Sequence, residues 1–158
     1  IHHQQDGKWM KFSDERFNLD YPIEGANTFF SGGAGLSSTA EDYAAFLQMY
    51  LNGGEYNGKR ILSRTTVEAI LGNHTGSLFW EIPNKYYGIA FGVVTEQGEA
   101  SGGIGSVGTF DWGGYFNTQY FADPEEQTIG ILMKQTQGPV NDQTGWKFRL
   151  LVGQAIDD

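Results

Sequence analysis

Between Gly108 and Pro124 the chain reads Gly-Thr-Phe-Asp-Trp-Gly-Gly-Tyr-Phe-Asn-Thr-Gln-Tyr-Phe-Ala-Asp-Pro, aromatic and polar residues in near alternation. A period of two sends successive side chains to opposite faces of an extended chain, so Phe110 to Phe121 reads as one long strand or a pair of strands and not as a helix. Trp112-Gly113-Gly114, near its start, removes the side chains that would keep another molecule away from the backbone. Asp123-Pro124-Glu125-Glu126 is a hairpin turn, because proline presets the backbone angle a turn needs. The chain then returns antiparallel from Gln127 to Lys134, with Ile129, Ile131 and Met133 on one face. Upstream, Ile89, Phe91 and Val93 alternate with Ala90, Gly92 and Val94, which predicts a buried strand beginning near Tyr86. Glu96-Gln97-Gly98-Glu99 reads as a turn, and Gly102 to Gly108 as a flexible connection.

Helical signals lie on either side of this region. Ser38-Thr39-Ala40-Glu41 has the form of a capping box, with Ser38 as the cap. Tyr43, Phe46, Leu47, Tyr50 and Leu51 then recur on one helical face until Asn52-Gly53-Gly54 stops it. Ser63 caps a second, shorter helix with Val67, Ile70 and Leu71 inward and Gly72 at its end. Asn141 or Asp142 caps a final helix whose Phe148, Leu151, Val152 and Ala155 lie against the sheet. The fold class is therefore α+β, an antiparallel sheet with a C-terminal helix. Residues 1–28 are polar and interrupted by Asp6-Gly7, Asn18 and Pro22, and read as an extended loop or connector.

Glycine, at 23 of 158 residues, is about twice its usual frequency, which favours strands and tight turns over a helical bundle. Ten basic against nineteen acidic residues give a net charge of −9, which opposes nucleic acid and anionic membrane surfaces as partners. No run is long and apolar enough to span a bilayer. The absence of cysteine removes disulfides, zinc-thiolate sites and thiol catalysis. His2 and His3 form a terminal pair that by itself specifies no metal, and no cofactor is implied.

Four ordered segments carry a resemblance. Phe29–Leu47 and Asn52–Ser63 on the helical side, Tyr87–Gly92 and Thr128–Gln135 around the tryptophan run, together with Trp112-Gly113-Gly114 itself, are similar to the serine β-lactamase, penicillin-binding-protein and family VIII carboxylesterase superfamily, class C β-lactamases included. There the third motif, Lys-Thr-Gly or His-x-Gly, becomes Trp-Gly-Gly in esterase-like members. His74-Thr75-Gly76 matches a variant of the motif by letters, but it follows a helix stop and is not succeeded by a strand running into an Asp-Pro turn, so it reads as an exposed loop. The resemblance implies a β-lactamase/transpeptidase-like fold of which this chain is an incomplete part: residues 29–84 a portion of the helical subdomain, residues 85–158 the sheet with its terminal helix.

It also implies acyl transfer through a serine ester, with Tyr115 giving a backbone amide to the oxyanion hole and Trp112, Gly113 and Gly114 forming the substrate-binding strand. Tryptophan in place of the cationic lysine, which in the family helps to hold a substrate carboxylate, shifts the expected substrate toward neutral esters. No serine between Ser13 and Ser106 has a lysine three residues later, so the family's Ser-x-x-Lys pair is absent from the sequence. Tyr50-Leu51-Asn52 and Tyr115-Phe116-Asn117 match Tyr-x-Asn by letters only, the first ending a helix and the second continuing the tryptophan strand. The expected partners are accordingly an upstream N-terminal part of the same protein, in one polypeptide or as a separate chain, and a small-molecule ester or amide. This chain alone is expected to be inactive. The family setting leans toward the periplasm or secretion. The alternatives are a carbohydrate-binding module, using Trp112 and neighbouring tyrosines as stacking platforms, and a pseudoenzyme of the same fold.

Overall fold

A computed structural model describes residues 1–15, 18–26, 28–33, 35–76, 78, 84–137 and 141–156; Ala34, within the Phe29–Leu47 run, lies outside the described residues. The first 28 residues depart from the expected loop. Strands β1 (His2–Gln5) and β2 (Lys8–Lys11) pair antiparallel in the register His2↔Lys11 to Gln5↔Lys8. Asp6 and Gly7, read from sequence as interrupters, have φ of 50° and 75° and form the two-residue turn whose twist matches a hairpin. A single turn of helix, α1 (Tyr21–Glu24), follows.

Helix α2 (Ala40–Leu51) begins one residue later than expected. Thr39, not Ser38, is the cap: its Oγ1 accepts from the Asp42 amide at 3.1 Å and donates to the Asp42 carboxylate at 3.0 Å. A two-residue hairpin, β3 (Glu55–Tyr56) and β4 (Lys59–Arg60), leads to α3 (Arg64–Leu71), capped by Ser63 as expected.

The predicted strand from Tyr86 is a hairpin instead, β5 (Lys85–Tyr87) and β6 (Gly92–Val94), in register Lys85↔Val94 to Tyr87↔Gly92. The chain reverses at Gly88–Phe91, where the Ile89 amide donates to the Ile70 carbonyl at the end of α3 and leaves the Ile89 side chain exposed. Residues 96–99 belong to a short helix, α4 (Glu96–Ala100), because Thr95 accepts from the Gly98 amide and caps it. Strands β7 (Phe110–Gly113), β8 (Gln119–Asp123) and β9 (Thr128–Leu132) complete a five-stranded antiparallel sheet in the order β5-β6-β7-β8-β9. A short β10 (Thr136–Gln137) pairs parallel with β1, and α5 (Thr144–Gln154) ends the described fold.

The core lies between α2, α3 and one face of the sheet. Leu47, Met49, Tyr50, Val67, Phe91, Val93, Phe110 and Ala122 are buried together, with the Tyr50 ring edge-on to Phe91 at 5.1 Å. Each large apolar side chain buried here contributes about 1.5–3 kcal/mol. Leu47 and Tyr50 are buried and Tyr43 and Leu51 pack against this core as expected, whereas Phe46 is exposed and Met49 joins the buried face. Helix α5 covers the opposite face through Phe148 and Arg149, which pack on Phe121 at 6.3 Å and 4.7 Å. Leu151 and Ala155, expected inward, are exposed. Asp142 supplies the local cap one residue outside α5, its carboxylate accepting from the Thr144 amide and hydroxyl, while Gln143 occupies the cap position without a side-chain bond. Among the described residues no helix is long and apolar enough to cross a membrane.

Candidate active site

Strand β7 is flanked unequally. On one side β8 pairs with it along its whole length, Phe110↔Ala122 to Gly113↔Gln119. On the other, the ladder from β6 consists of Val93↔Phe110 and Gly92↔Asp111, and it stops before Trp112 and Gly113. The last two residues of β7 therefore lie at a sheet edge, and the paired glycines follow where β6 leaves off. Trp112 is 38% exposed. Its indole packs against the Tyr87 ring at 4.9 Å and lies across Gly92, where a Cβ would meet it at 3.6 Å.

Beyond Gly114 the strand ends. Tyr115-Phe116-Asn117, expected to continue it, is instead the loop of the β7–β8 hairpin. The Asn117 amide donates to Gly114 O at 2.8 Å and the Gly114 amide to Thr118 O at 2.8 Å, while Asn117 takes a φ of 72°. This is the three-residue hairpin in which a residue with positive φ closes a type I turn, and asparagine tolerates that angle. Both closing bonds use amides other than that of Tyr115. The loop is anchored from below: Thr136 N donates to Phe116 O, Asn117 Nδ2 donates to Thr136 Oγ1 and to Asp142, and Gln137 Nε2 donates to the Tyr115 hydroxyl at 3.0 Å. Phe116 stacks edge-on with Phe12 at 5.4 Å, which ties the loop to the end of the β1–β2 hairpin.

A cavity of about 600 Å³ opens beside this edge, lined by Trp112, Gly113 and Gly114 from β7 and its turn, and by Gly145, Trp146 and Arg149 from α5. Its polar floor is a cluster that sequence reasoning missed. Asp111 alternates with Phe110, so its carboxylate faces α5 and not the core, and there it receives Lys85 Nζ and, at 2.6 Å, Arg149 Nη2. Burial pulls the Lys85 amine below its ordinary value, with Asp111 opposing that shift and Arg149 adding to it. A second ion pair, Lys134 with Asp142, holds the loop before α5; the bonds from Lys134, Thr144 and Asn117 keep the Asp142 carboxyl well below the usual carboxylate range. On the core face, burial and contact with Tyr43 push the Tyr120 phenol far above its ordinary value, so it stays protonated.

The other sequence candidates fall elsewhere. His74 is exposed with its ring against the Ala69 carbonyl, whereas Thr75 bonds both the amide and the carbonyl of Tyr87 and so fastens this loop to β5. His2 and His3 are neighbours in β1, where successive side chains point to opposite faces, and His3 packs on Phe12. Among the described residues no three histidine, cysteine or acidic side chains cluster as metal ligands would.

Comparison with known proteins gives the family and the fold. The chain is 33% identical over 139 residues to two Mycobacterium tuberculosis proteins, "Uncharacterized protein MT1414" of strain CDC 1551 / Oshkosh and "Protein Rv1367c" of strain H37Rv; the match covers 77% of this chain and 34% of each relative. The chain thus spans about a third of the curated relatives it matches. Among solved structures, EstCE1, a hydrolase with promiscuous acyltransferase activity, superposes with a TM-score of 0.74 at 21% identity over 94% of this chain and 41% of its own. Simvastatin synthase (LovD) from Aspergillus terreus superposes at 0.65 with 17% identity, over 99% of this chain and 43% of its own. These two show the fold. Residues 2–154 match the family described as Beta-lactamase, and the chain belongs to it, with the α+β architecture of its structural neighbours.

Proposed function

We propose that this chain is the C-terminal part of a serine hydrolase that cleaves small neutral esters, with the nucleophile on an upstream part of the same protein. The observation that carries the reading is the end of β7: Trp112 half-exposed at a sheet edge, followed by two glycines, where the ladder to β6 stops. A substrate laid along that edge meets backbone and not side chains, and the acyl oxygen comes within reach of the turn amides. In the acyl-transfer reading the Tyr115 amide and that of the upstream nucleophile donate to the developing oxyanion, worth about 3–4 kcal/mol per donor. Trp112 forms an apolar wall for the acyl or alcohol portion.

Support for an upstream partner comes from the surface. Ile23, Phe29, Phe30 and Leu36 are 73–88% exposed within one short stretch, as apolar residues are when another part of the protein covers them. The coverage of only about a third of the curated relatives points the same way. We read residues 29–84 as a portion of the helical subdomain that this upstream part completes, and the present chain alone as inactive.

The test is hydrolysis of a short-chain nitrophenyl ester and of a chromogenic cephalosporin by the full-length protein. Ester turnover should exceed cephalosporin turnover, and Trp112→Ala should lower kcat/KM for the ester by about tenfold, as expected for loss of a wall that orients the acyl group. Cephalosporin turnover equal to or above ester turnover refutes the neutral-ester assignment. Soluble-glycan binding with no hydrolysis of either substrate refutes the hydrolase.

A further inference from the structure

Two cations in this fold share one acceptor. Lys85 begins β5 and Arg149 lies in α5, far apart in the sequence, yet both reach Oδ2 of Asp111. The three side chains are between 12% and 19% exposed. A lysine carries three N–H donors and an arginine five, so a single carboxylate can neither neutralise the pair nor use their donors. Within this cavity the pair carries one positive charge more than the carboxylate it shares, while on its other side Arg149 borders a second cavity that Glu99, Asp123 and Glu126 also line. Among the described residues the other carboxylate lining the same cavity is Asp142, and it is already taken by Lys134, Thr144 and Asn117. Tyr120, which also lines it, is a neutral phenol.

The cavity that Lys85 and Arg149 line offers both halves of a ligand site. Its floor supplies surplus donors, and Trp112 and Trp146 supply aromatic walls. A volume of about 600 Å³ is in the range that accommodates a small organic molecule. We propose that this cavity binds a small aromatic carboxylate, its two oxygens paired with Lys85 and Arg149 and its ring lodged against Trp112 and Trp146. A planar carboxylate matches the fork of a guanidinium better than a halide or an amide does. This assignment concerns what the cation pair holds and does not rest on which bond the hydrolase breaks.

Phenylacetate and its neutral isostere phenylacetamide distinguish charge from shape, and two of the chain's four tryptophans line the cavity as reporters. On the full-length protein, phenylacetate should change the tryptophan fluorescence saturably and bind at least about tenfold more tightly than phenylacetamide, as one charge-assisted pair predicts. Lys85→Met leaves Arg149 and Asp111 as a balanced pair, so it should remove that preference. Asp111→Asn withdraws the competing carboxylate and should tighten phenylacetate binding by about threefold or more. Thermal unfolding of each variant establishes that it is folded at the assay temperature. Equal affinity for the two compounds, undiminished binding by folded Lys85→Met, or no saturable change in the wild type overturns the proposal.

Discussion

Asp123 is the test of how the turn after β8 is built. Its carboxylate is 4% exposed and accepts four bonds. Oδ2 receives the Ser106 amide at 2.9 Å and the Thr109 hydroxyl at 2.8 Å, and Oδ1 receives the Glu125 and Glu126 amides at 3.1 and 3.2 Å. Ser106 and Thr109 are themselves buried, so Asp123→Ala orphans two donors that water does not reach, whereas the Glu125 and Glu126 amides lie at the exposed turn. Each buried bond to a charged group is worth about 1.5–3 kcal/mol, and part of that returns because the carboxylate no longer has to be desolvated; a net loss of about 3–4 kcal/mol results. With a urea slope of about 2 kcal/mol/M, the unfolding midpoint should fall by about 1.5–2 M. Asp123→Asn keeps the shape and one acceptor and should cost about half as much. The pH dependence follows from the same bonds: burial pushes this carboxyl up, but the bonds from Ser106, Thr109 and Glu126 outweigh it and hold it below its ordinary value. A depressed native value means the stabilisation is complete above the unfolded value and is lost as pH falls below it through the native one. The difference between wild type and Asp123→Asn should therefore narrow as pH falls below about 4, the unfolded carboxylate range. A loss under about 1 kcal/mol for Asp123→Ala, or a difference from Asp123→Asn that does not change with pH, refutes the account.

Gly88→Ala would place a Cβ 2.2 Å from the Ile70 backbone carbonyl, which cannot yield as a side chain can, and calorimetry should show a loss of about 3 kcal/mol or more. Gly153→Ala meets nothing within 4 Å inside α5 and should raise stability by about 0.5–1 kcal/mol, seen as a higher Tm. Thr39→Ala and Ser63→Ala each remove the side-chain bond at a helix start and should each cost about 1 kcal/mol in urea unfolding, with additive effects in the double variant because they cap different helices.

Where local chemistry is strong and unopposed, the sequence alone was enough to read the fold. Ser63, Gly72 and the Val67 face located α3, and Asp123-Pro124 located the β8–β9 turn, because caps and proline turns act through neighbouring atoms. The misreadings share a cause. Asp6-Gly7 was read as an interruption because its flanks are polar, yet two positive φ angles make that pair a hairpin turn, and the polar flanks are strands of a small sheet pairing with β10 more than a hundred residues away. Tyr86–Val94 alternates well enough for one strand, but the contact of Ile89 N with Ile70 O reverses the chain at Gly88. Periodicity reports which residues face inward; it carries no information on where a distant carbonyl bends the backbone.

The same distinction separates what could be foreseen of the site from what could not. Trp112-Gly113-Gly114 stood out because glycine beside a bulky aromatic is rare inside a strand and marks close backbone approach, a property of adjacent residues. Asp111 carried no such mark: between Phe110 and Trp112 it reads as an ordinary polar position on an outward face. Its meaning depends on Lys85, 26 residues earlier, and on Arg149 from the last helix, and only the antiparallel order β5-β6-β7 with α5 behind it brings the three together. Asn117 sits between these cases. Its letter allows a positive φ, and the three-residue loop requires one, so a hairpin at Tyr115–Asn117 was available to a reading that weighed asparagine as turn chemistry before reading the stretch as continued alternation. In the proposed oxyanion role of the Tyr115 amide, that turn sets the direction of the Tyr115 peptide relative to the edge of β7. A substitution such as Asn117→Val, which disfavours the left-handed angle, should therefore lower ester kcat more than it raises KM, even though the side chain at 117 points to Thr136 and Asp142 and not to the cavity wall formed by Trp112. An unchanged kcat in a folded Asn117→Val protein would remove Tyr115 from the oxyanion role.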